Sequence, residues 1–273
     1  RDPLARLALR PPIVRPQFRA RSYARASASG NEGTMQISEE RLQEFLQAEV
    51  NFFAGQEAKS ISLRQVLDAS TPELAAHLSH TELPIRFAQR ILQIEALPNW
   101  SQSAELVEVH SLYSQAFREL RLIELEVHNL DSFTDVIDRL KGRMRGVVPN
   151  LATAMRKLQQ SDGYTEAKIG QWLDTFLLSR ISTEMLTSQH MACCRGRPQG
   201  ATGKRRTGIV DDACDPAMIC KQAAKHAQKV CRQHYSVDQD VPILVESNAA
   251  RMGEGNERIR FPYVPQYLFY IMV

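Results

Sequence analysis

The stretch AELVEVHSLYSQAFRELRLIELEV, residues 104–127, decides the fold class, because apolar side chains recur in it every three or four residues. In a helix this spacing places those side chains on one face. Charged residues such as Arg118, Glu119 and Arg121 fall elsewhere on the helix. We therefore predict a long amphipathic helix from about Ala104 to Val127. Its buried face would consist of Leu106, Val109, Tyr113, Phe117, Leu120 and Ile123.

The helical pattern continues on both sides of this stretch. Before it, an apolar stripe around Leu46 and the start signal Thr71-Pro72 predict further helices, and Ser62 with Gln65 has the spacing of a capping box. After it, the same reasoning predicts helices over residues 131–141, 147–160 and 169–192. This number of helices is enough to close an antiparallel bundle. We predict a mainly α protein whose regulatory domain, residues 36–195, is such a bundle.

The helix predicted over residues 169–192 carries both an apolar stripe and polar residues that resemble site residues. Among the polar ones, His190, Arg180 and Gln189 attract attention. On a long bundle helix we interpret them as buried hydrogen-bonding groups that hold neighbouring helices in register. The predicted inward stripe consists of Leu173, Phe176, Leu177, Ile181 and Met185.

The helical pattern stops at CCRGRPQGATGKRRTG, and we predict a linker over residues 196–210. Its Gly203-Lys204 pair does not complete a phosphate-binding loop, because Pro198 stands where glycine is required and Arg205 where serine or threonine is required. Beyond it we predict the start of an α/β domain, residues 211–273. Its elements would be a helix from Asp215-Pro216 to about Tyr235, strands at Val241–Val245 and Arg258–Phe261, and a helix from Pro265 with Tyr267, Leu268, Ile271 and Met272 on its apolar face.

The net charge of +3 conceals an arginine-rich beginning. Residues 1–30 hold seven Arg and one Asp, or +6, so residues 31–273 carry −3. This composition is typical of a mitochondrial transit peptide, which we predict over residues 1–33; a basic nucleic-acid-binding arm is the alternative. The acidic remainder disfavours nucleic acid as a partner. The apolar run at residues 267–273 is too short for a conventional membrane anchor, since a spanning helix needs about 20 apolar residues.

Five cysteines are too few and too irregularly spaced for a disulfide framework, and no CxxC pair indicates zinc. We expect reduced thiols. Cys220 and Cys231 lie three helical turns apart with His226 and His234 nearby, and one buried helix face explains them better than a metal site.

Five segments of the chain, taken in order, match the pattern of one family. They are SISLRQVLD (60–68), ELPIRFAQRILQIEALP (82–98), RMRGVVPNLATAM (143–155), FLLSRISTEMLTSQH (176–190) and FPYVPQYLFYIMV (261–273). Together they resemble the mitochondrial pyruvate dehydrogenase kinase and branched-chain α-keto acid dehydrogenase kinase family. Each match alone is weak, but five in the right order across more than 200 residues are specific. Details such as Pro149 in VVP, SRIS at Ser179–Ser182 and YVPQ at Tyr263–Gln266 favour the pyruvate branch.

The resemblance implies a helical bundle followed by the start of an ATP-binding α/β domain of the gyrase and histidine-kinase type. It further implies a protein serine kinase of the mitochondrial matrix that uses ATP and Mg²⁺. Its substrate would be the E1α subunit of the pyruvate dehydrogenase complex, with docking on E2 lipoyl domains and a possible homodimer. Branched-chain dehydrogenase kinase is the alternative within the family. Phe52 and Phe53 are candidates for a lipoyl pocket, although we favour core positions for both.

Two departures from the family pattern affect the expected mechanism. The family's Arg-His pair falls on Arg143 and Met144, and a thioether cannot orient a catalytic acid as an imidazole can. The family's acid and its metal-binding Asn are expected immediately after Val273. We therefore expect no catalytic, cofactor-binding or metal-binding residue within residues 1–273, and place only Arg143, Met144 and Tyr270 near the active site. A non-catalytic lipoyl-binding module and a helical scaffold unrelated to kinases are the competing interpretations.

Overall fold

The computed structural model describes residues 38–126, 128–160, 164–195, 208–235, 242–246 and 259–273. The protein is mainly α, as the periodicity predicts. The predicted transit peptide, the pair Gly203-Lys204 and most of the predicted linker lie outside the described residues. Contacts divide the chain into two units, the first comprising residues up to 61 together with 72–190, and the second comprising 62–71 and 191–273. The boundaries predicted from sequence remain predictions.

The first unit is built from helices that follow one another through short connections. The helix α7 begins in this unit and continues through residues 191–194 of the second. Two 3₁₀ turns, Trp100–Gln102 and Met144–Gly146, precede α4 and α6 respectively. The helices are α1 (Glu39–Ala54), α3 (Pro72–Glu95), α4 (Ala104–Leu122), α5 (Asp131–Arg143), α6 (Val147–Gln159) and α7 (Glu166–Cys194), where α2 belongs to the second unit.

The core of the first unit lies around α3 and α4. Helix α3 packs against α1 and α4, and α4 also packs against α6. Edge-to-face aromatic contacts join three of these helices, because Tyr113 of α4 lies 5.5 Å from Phe87 of α3 and 5.6 Å from Phe176 of α7, measured between ring centroids. Such pairs stabilise a core beyond the area they bury. The predicted α4 stripe is confirmed for its first five members, all of which are buried.

Two expectations for the first unit are wrong. Helix α4 ends at Leu122, because Ile123 has an extended backbone (φ −79°, ψ 130°). Glu126 and Asn129 then form an isolated bridge. In α7, Ile181 is 53% exposed, so the predicted apolar stripe does not face inward along its whole length. Thr187 is buried, and so is His190, whose burial was expected. Helix α7 therefore presents polar side chains to the interior.

The second unit contains α2 (Leu63–Asp68), β1 (Asp211–Cys214), α8 (Pro216–Tyr235), β2 (Phe261–Tyr263) and α9 (Pro265–Met272). Strands β1 and β2 pair antiparallel, with Asp211 opposite Tyr263 and Cys214 opposite Phe261. Helices α8 and α9 pack together. The predicted α8 is confirmed, and Ser62 and Gln65 form the predicted capping box at the start of α2. A small core forms from Cys214, Ile219 and Leu268, with Tyr263 and Phe269 packed against it.

Other expectations for the second unit fail. Residues 242–246 form neither helix nor strand, and Leu244 is 82% exposed. The strand expected to end at Phe261 begins there. On α9, Leu268 is buried, but Ile271 and Met272 are 69% and 47% exposed. The strands and the apolar face of α9 were predicted from alternating or apolar patterns in the sequence. Such patterns do not show whether a second strand is present to pair with the segment, or a second helix to cover its apolar face.

The second unit is assembled from two distant parts of the sequence. The thiol of Cys193, near the end of α7, donates to the backbone carbonyl of Ala69 at 3.8 Å and of Ser70 at 3.7 Å. Val66 of α2 is 1% exposed. None of the helices in the described ranges has the length and apolar character needed to cross a membrane.

Candidate functional site

The best-defined site lies where α5 ends and the chain turns into α6. The turn separates two neighbouring side chains: Met144 is 6% exposed, whereas Arg145 is exposed. Arg143, at the last position of α5, forms a two-point ion pair with Glu119 of α4. Its Nη1 lies 2.8 Å from Oε1 and its Nη2 2.5 Å from Oε2. This bidentate geometry fixes the end of α5 against α4.

Burial and charge act on Glu119 in opposite directions. Burial raises the pKa of its carboxyl, but the hydrogen bonds and charge of Arg143, together with a hydrogen bond from Gln115 and the charge of Arg139, outweigh that effect and hold the pKa below its usual value. Glu119 is therefore ionised at neutral pH. The guanidinium of Arg143 is occupied by this ion pair.

Met144 lies in the wall of a small cleft between α4, α5 and α7. The empty space of the cleft is about 270 Å³ when the open solvent at its mouth is counted. Its polar side chains come mainly from α7, and its apolar ones from α4 and α5. The lining residues are Tyr113, Leu140, Lys141, Met144, Arg180, Thr183, Glu184 and Thr187.

The charged groups of the cleft are partly neutralised by one another. The Nζ of Lys141 lies 2.5 Å from Oε1 of Glu184 and donates to Ser188 Oγ at 2.8 Å. Burial raises the pKa of the Tyr113 hydroxyl, and the nearby guanidinium of Arg180 opposes that effect. Arg180, Thr183 and Thr187 add polar groups to the lining, and the hydroxyls of the two threonines donate to backbone carbonyls of α7 itself. The arrangement holds polar groups in place and contains no pairing of a nucleophile with a base.

His190 and Gln189 are buried, as predicted, and they do not line the cleft. The Nε2 atom of His190 lies 3.0 Å from the hydroxyl oxygen of Thr134 on α5, and its ring packs edge-on against Phe133 at 5.1 Å. Burial lowers the pKa of His190 to about 4, so its ring is neutral at physiological pH. These contacts join α7 to α5.

The remaining candidates are Tyr270, Phe53 and Phe52. Tyr270 belongs to α9 of the second unit and is 66% exposed; its hydroxyl accepts a hydrogen bond from Gln266 Nε2 at 3.4 Å. Phe53 is a core residue, as expected, and contacts Phe117 at 5.8 Å. Phe52 is 58% exposed, so the core position expected for it is wrong.

Of the polar residues that α7 contributes to the cleft, Arg180 was singled out from the sequence, but Thr183 and Thr187 were not. On α7, Arg180, Thr183 and Thr187 follow each other at intervals of three and four residues, which places them on one face. That interval was a usable signal, but a polar stripe on a helix ordinarily faces solvent. Among the described residues, no group of three or more His, Cys, Asp or Glu side chains is placed to hold a metal ion.

Comparison with known proteins links this chain to one family. A family model for the mitochondrial branched-chain alpha-ketoacid dehydrogenase kinase matches residues 60–211. A mitochondrial [pyruvate dehydrogenase (acetyl-transferring)] kinase of Drosophila melanogaster is 29% identical over 236 residues, covering 82% of this chain and 56% of the relative. The mouse mitochondrial isozyme 3 is 30% identical over 228 residues, covering 78% and 53%.

A plant relative shows a similar identity and coverage. The mitochondrial kinase of Arabidopsis thaliana is 29% identical over 223 residues, covering 78% of this chain and 57% of the relative. The chain thus spans little more than half the length of these curated relatives. With the family model matching more than half of the chain and the five ordered segments in agreement, the protein belongs to the mitochondrial pyruvate dehydrogenase kinase and branched-chain α-keto acid dehydrogenase kinase family.

Proposed function

We propose that this chain is the helical region, and the first part of the nucleotide domain, of a protein serine kinase that phosphorylates the E1α subunit of the mitochondrial pyruvate dehydrogenase complex. The observation that carries the proposal is the match over residues 60–211 together with relatives that are named as mitochondrial pyruvate dehydrogenase kinases. ATP and Mg²⁺ are the cofactors that a kinase of this family uses. The matrix is the proposed compartment, and the relatives' names support the mitochondrion.

The helical first unit serves as the docking and regulatory part of the proposed enzyme. We assign to it the contact with E2 lipoyl domains, and to the nucleotide domain the contact between two copies. Phosphoryl transfer depends on metal ions and charged groups that position the nucleotide. By resemblance we place those groups beyond Val273, so we expect no heat of binding when residues 1–273 alone are titrated with Mg-ATP.

Met144 sets the expected efficiency of catalysis. Its thioether is a weak acceptor and cannot donate a proton or carry charge, so it cannot orient a carboxylate as the family's imidazole does. Arg143 does not compensate, because its guanidinium binds Glu119 at two points. We propose a kinase whose turnover is low compared with a variant that restores the imidazole.

A kinase assay tests the proposal. The protein made from the uninterrupted reading frame is incubated with Mg-ATP and purified E1 from the pyruvate or the branched-chain complex, with Met144→His and Met144→Leu in parallel. We expect phosphate on pyruvate E1α, more of it with Met144→His, and no gain with Met144→Leu. Absence of phosphate on both substrates from every version contradicts the enzyme proposal, and a preference for the branched-chain substrate assigns the other branch.

The buried thioether also favours a second candidate, a non-catalytic module that binds lipoyl domains. Met144 is 6% exposed and lies among Leu140 and Tyr113, so it fits as a packing residue. The module predicts saturable binding to an isolated lipoyl domain with no phosphate incorporation. Binding and phosphorylation measured on one preparation therefore separate the two candidates.

A further inference from the structure

Helix α8 carries a row of positive charge that the proposed function does not use. Its twenty residues, PAMICKQAAKHAQKVCRQHY, contain Lys221, Lys225, Lys229 and Arg232 but neither Asp nor Glu. We call these four residues the basic stripe. All four side chains are exposed. At 3.6 residues per turn they fall within one narrow face of the helix, about 16 Å long at a rise of 1.5 Å per residue.

The opposite face of α8 is covered over its first half. Ile219 and Ala223 are buried on that side, and His226 lies 5.5 Å from the ring of Phe269 on α9. Because α8 packs on α9 through this apolar face, the basic stripe points away from α9 and towards solvent. The three lysines form no ion pair with any residue in the described ranges.

Helix stability does not account for the stripe. Cations are favoured only near the last turn of a helix, where they interact with the carbonyl end of the dipole, and Lys221 and Lys225 lie in the first half of α8. Like charges four residues apart also disfavour the helix, and the lysines form two such pairs. A negatively charged partner bound along the stripe would offset the repulsion within both lysine pairs.

We propose that the basic stripe binds an acidic helical segment of a partner protein. Carboxylates four residues apart on a helix repeat about every 6 Å, the same interval as the lysines. The segment would need about twelve residues to cover the stripe. The inference does not depend on kinase activity.

Other polyanions fit the stripe less well. A membrane surface is bound by a helix that inserts a continuous exposed apolar face, whereas the apolar side chains that α8 leaves exposed, Met218 (43%) and Val230 (46%), lie on different sides of the helix. Single-stranded nucleic acid is bound by basic grooves with aromatic side chains interleaved for base stacking, whereas the aromatic rings of α8 near the stripe are confined to its last two residues, His234 and Tyr235. A longer nucleic acid would extend past the stripe onto a chain whose residues 31–273 carry −3.

Fluorescence anisotropy tests the proposal on the whole chain. The probe is a labelled 16-residue alanine-based helical peptide with glutamates every four residues, titrated at low and at physiological salt. The variant is Lys221→Gln/Lys225→Gln/Lys229→Gln. The control, Lys59→Gln/Arg64→Gln/Lys168→Gln, removes the same charge from exposed positions elsewhere. Lys221→Arg/Lys225→Arg/Lys229→Arg keeps the charge of the stripe.

We expect the stripe variant to weaken binding by about tenfold or more, with the control and the arginine variant within about twofold of the unmodified chain. Equal loss in the stripe variant and the control would show an effect of net charge and overturn the proposal. Duplex DNA and phosphatidylcholine–phosphatidylserine vesicles are titrated in parallel. Binding of either one through the same lysines, as tightly as the peptide, would also overturn it. Circular dichroism confirms that each variant is folded.

Discussion

Glu119 and Arg143 are joined by two parallel contacts, Oε1 to Nη1 at 2.8 Å and Oε2 to Nη2 at 2.5 Å, which tie the last turn of α4 to the last residue of α5. Both side chains are 26% exposed. The pair fixes the backbone just before Met144, so the position of the thioether depends on a contact that the thioether itself does not make.

Glu119→Gln should lower the free energy of unfolding by about 1–2 kcal/mol, because it removes the charge from a partly buried, bidentate pair. The control Glu39→Gln affects the more exposed Glu39–Arg118 pair and should cost under about 0.5 kcal/mol. Since the pKa of Glu119 is lowered in the folded protein, its contribution is complete above the unfolded carboxyl pKa and is lost as pH falls through the folded value. Urea unfolding at pH 7 and pH 3 measures both effects. Equal losses for the two variants would contradict the prediction.

His190 should make the protein less stable in acid. Its pKa is lowered to about 4 by burial, so the unfolded chain takes up a proton near pH 6.5 before the folded chain does. Stability should therefore decrease by up to about 3 kcal/mol as pH falls from 6.5 to 4, and the contribution of this histidine should be constant outside that window. His190→Gln keeps a polar side chain next to Thr134 without titrating. An unchanged pH slope in His190→Gln would show that other groups cause the acid sensitivity.

Two buried arginines of α3 should respond differently to the same substitution. Arg86 forms an ion pair with Glu82 at 2.6 Å, whereas burial lowers the pKa of Arg90 to about 10 and its Nε atom has no hydrogen-bond partner among the described residues. Arg86→Met removes the ion-pair partner of the buried Glu82 carboxylate, at a cost of about 3–5 kcal/mol. Arg90→Met should change stability by less than about 1 kcal/mol, because it removes a desolvated cation and an unsatisfied donor.

Glu82→Gln combined with Arg86→Met provides the internal control, since it removes both charges and should recover part of the loss. Thermal unfolding of the three variants checks the pattern. A loss for Arg90→Met as large as that for Arg86→Met would mean that the hydrogen bond from Arg90 to the carbonyl of Thr175 is essential.

An imidazole introduced by Met144→His should have a pKa below the usual 6.5. The position is buried, and Lys141 and Arg180 line the same cleft, while the carboxylate of Glu184 is paired with Lys141. Both burial and the remaining positive charge disfavour the protonated ring. A proton NMR titration of the ring signals measures the pKa. A value at or above 6.5 would show that Glu184 interacts with the ring more strongly than Arg180 does.

The sequence predicted the helices better than it predicted what each helix faces. Local signals were sufficient to place the starts of α4 and α8, since regular apolar spacing begins near Ala104 and Pro216 marks the first turn of α8. On α7, Ile181 was assigned to the interior but is 53% exposed, whereas Thr187 is buried without having been predicted to be; His190 is buried, as expected. Whether a buried polar group is satisfied depends on a partner on another helix, and spacing within one helix does not contain that information.

The sheet was the least predictable part of the fold for a similar reason. Strand β1, Asp211–Cys214, has no alternating pattern, and its partner β2 begins nearly fifty residues later. The run from Pro242 to Glu246 shows alternation but forms no strand. In the candidate site, the motif comparison led to Met144 and Arg143. The cleft beside them became visible only when α4, α5 and α7 were assembled.

The discontinuous second unit has a consequence for the order in which the chain is synthesised. Residues 62–71 leave the ribosome more than a hundred residues before Cys193, whose thiol contacts the carbonyls of Ala69 and Ser70. The partners of the short helix α2 are therefore absent until the whole of α3 to α7 has been translated. A six-residue helix is too short to persist alone. Its capping box would still favour the start of a helix at this position, so that α2 forms once the end of α7 has been synthesised.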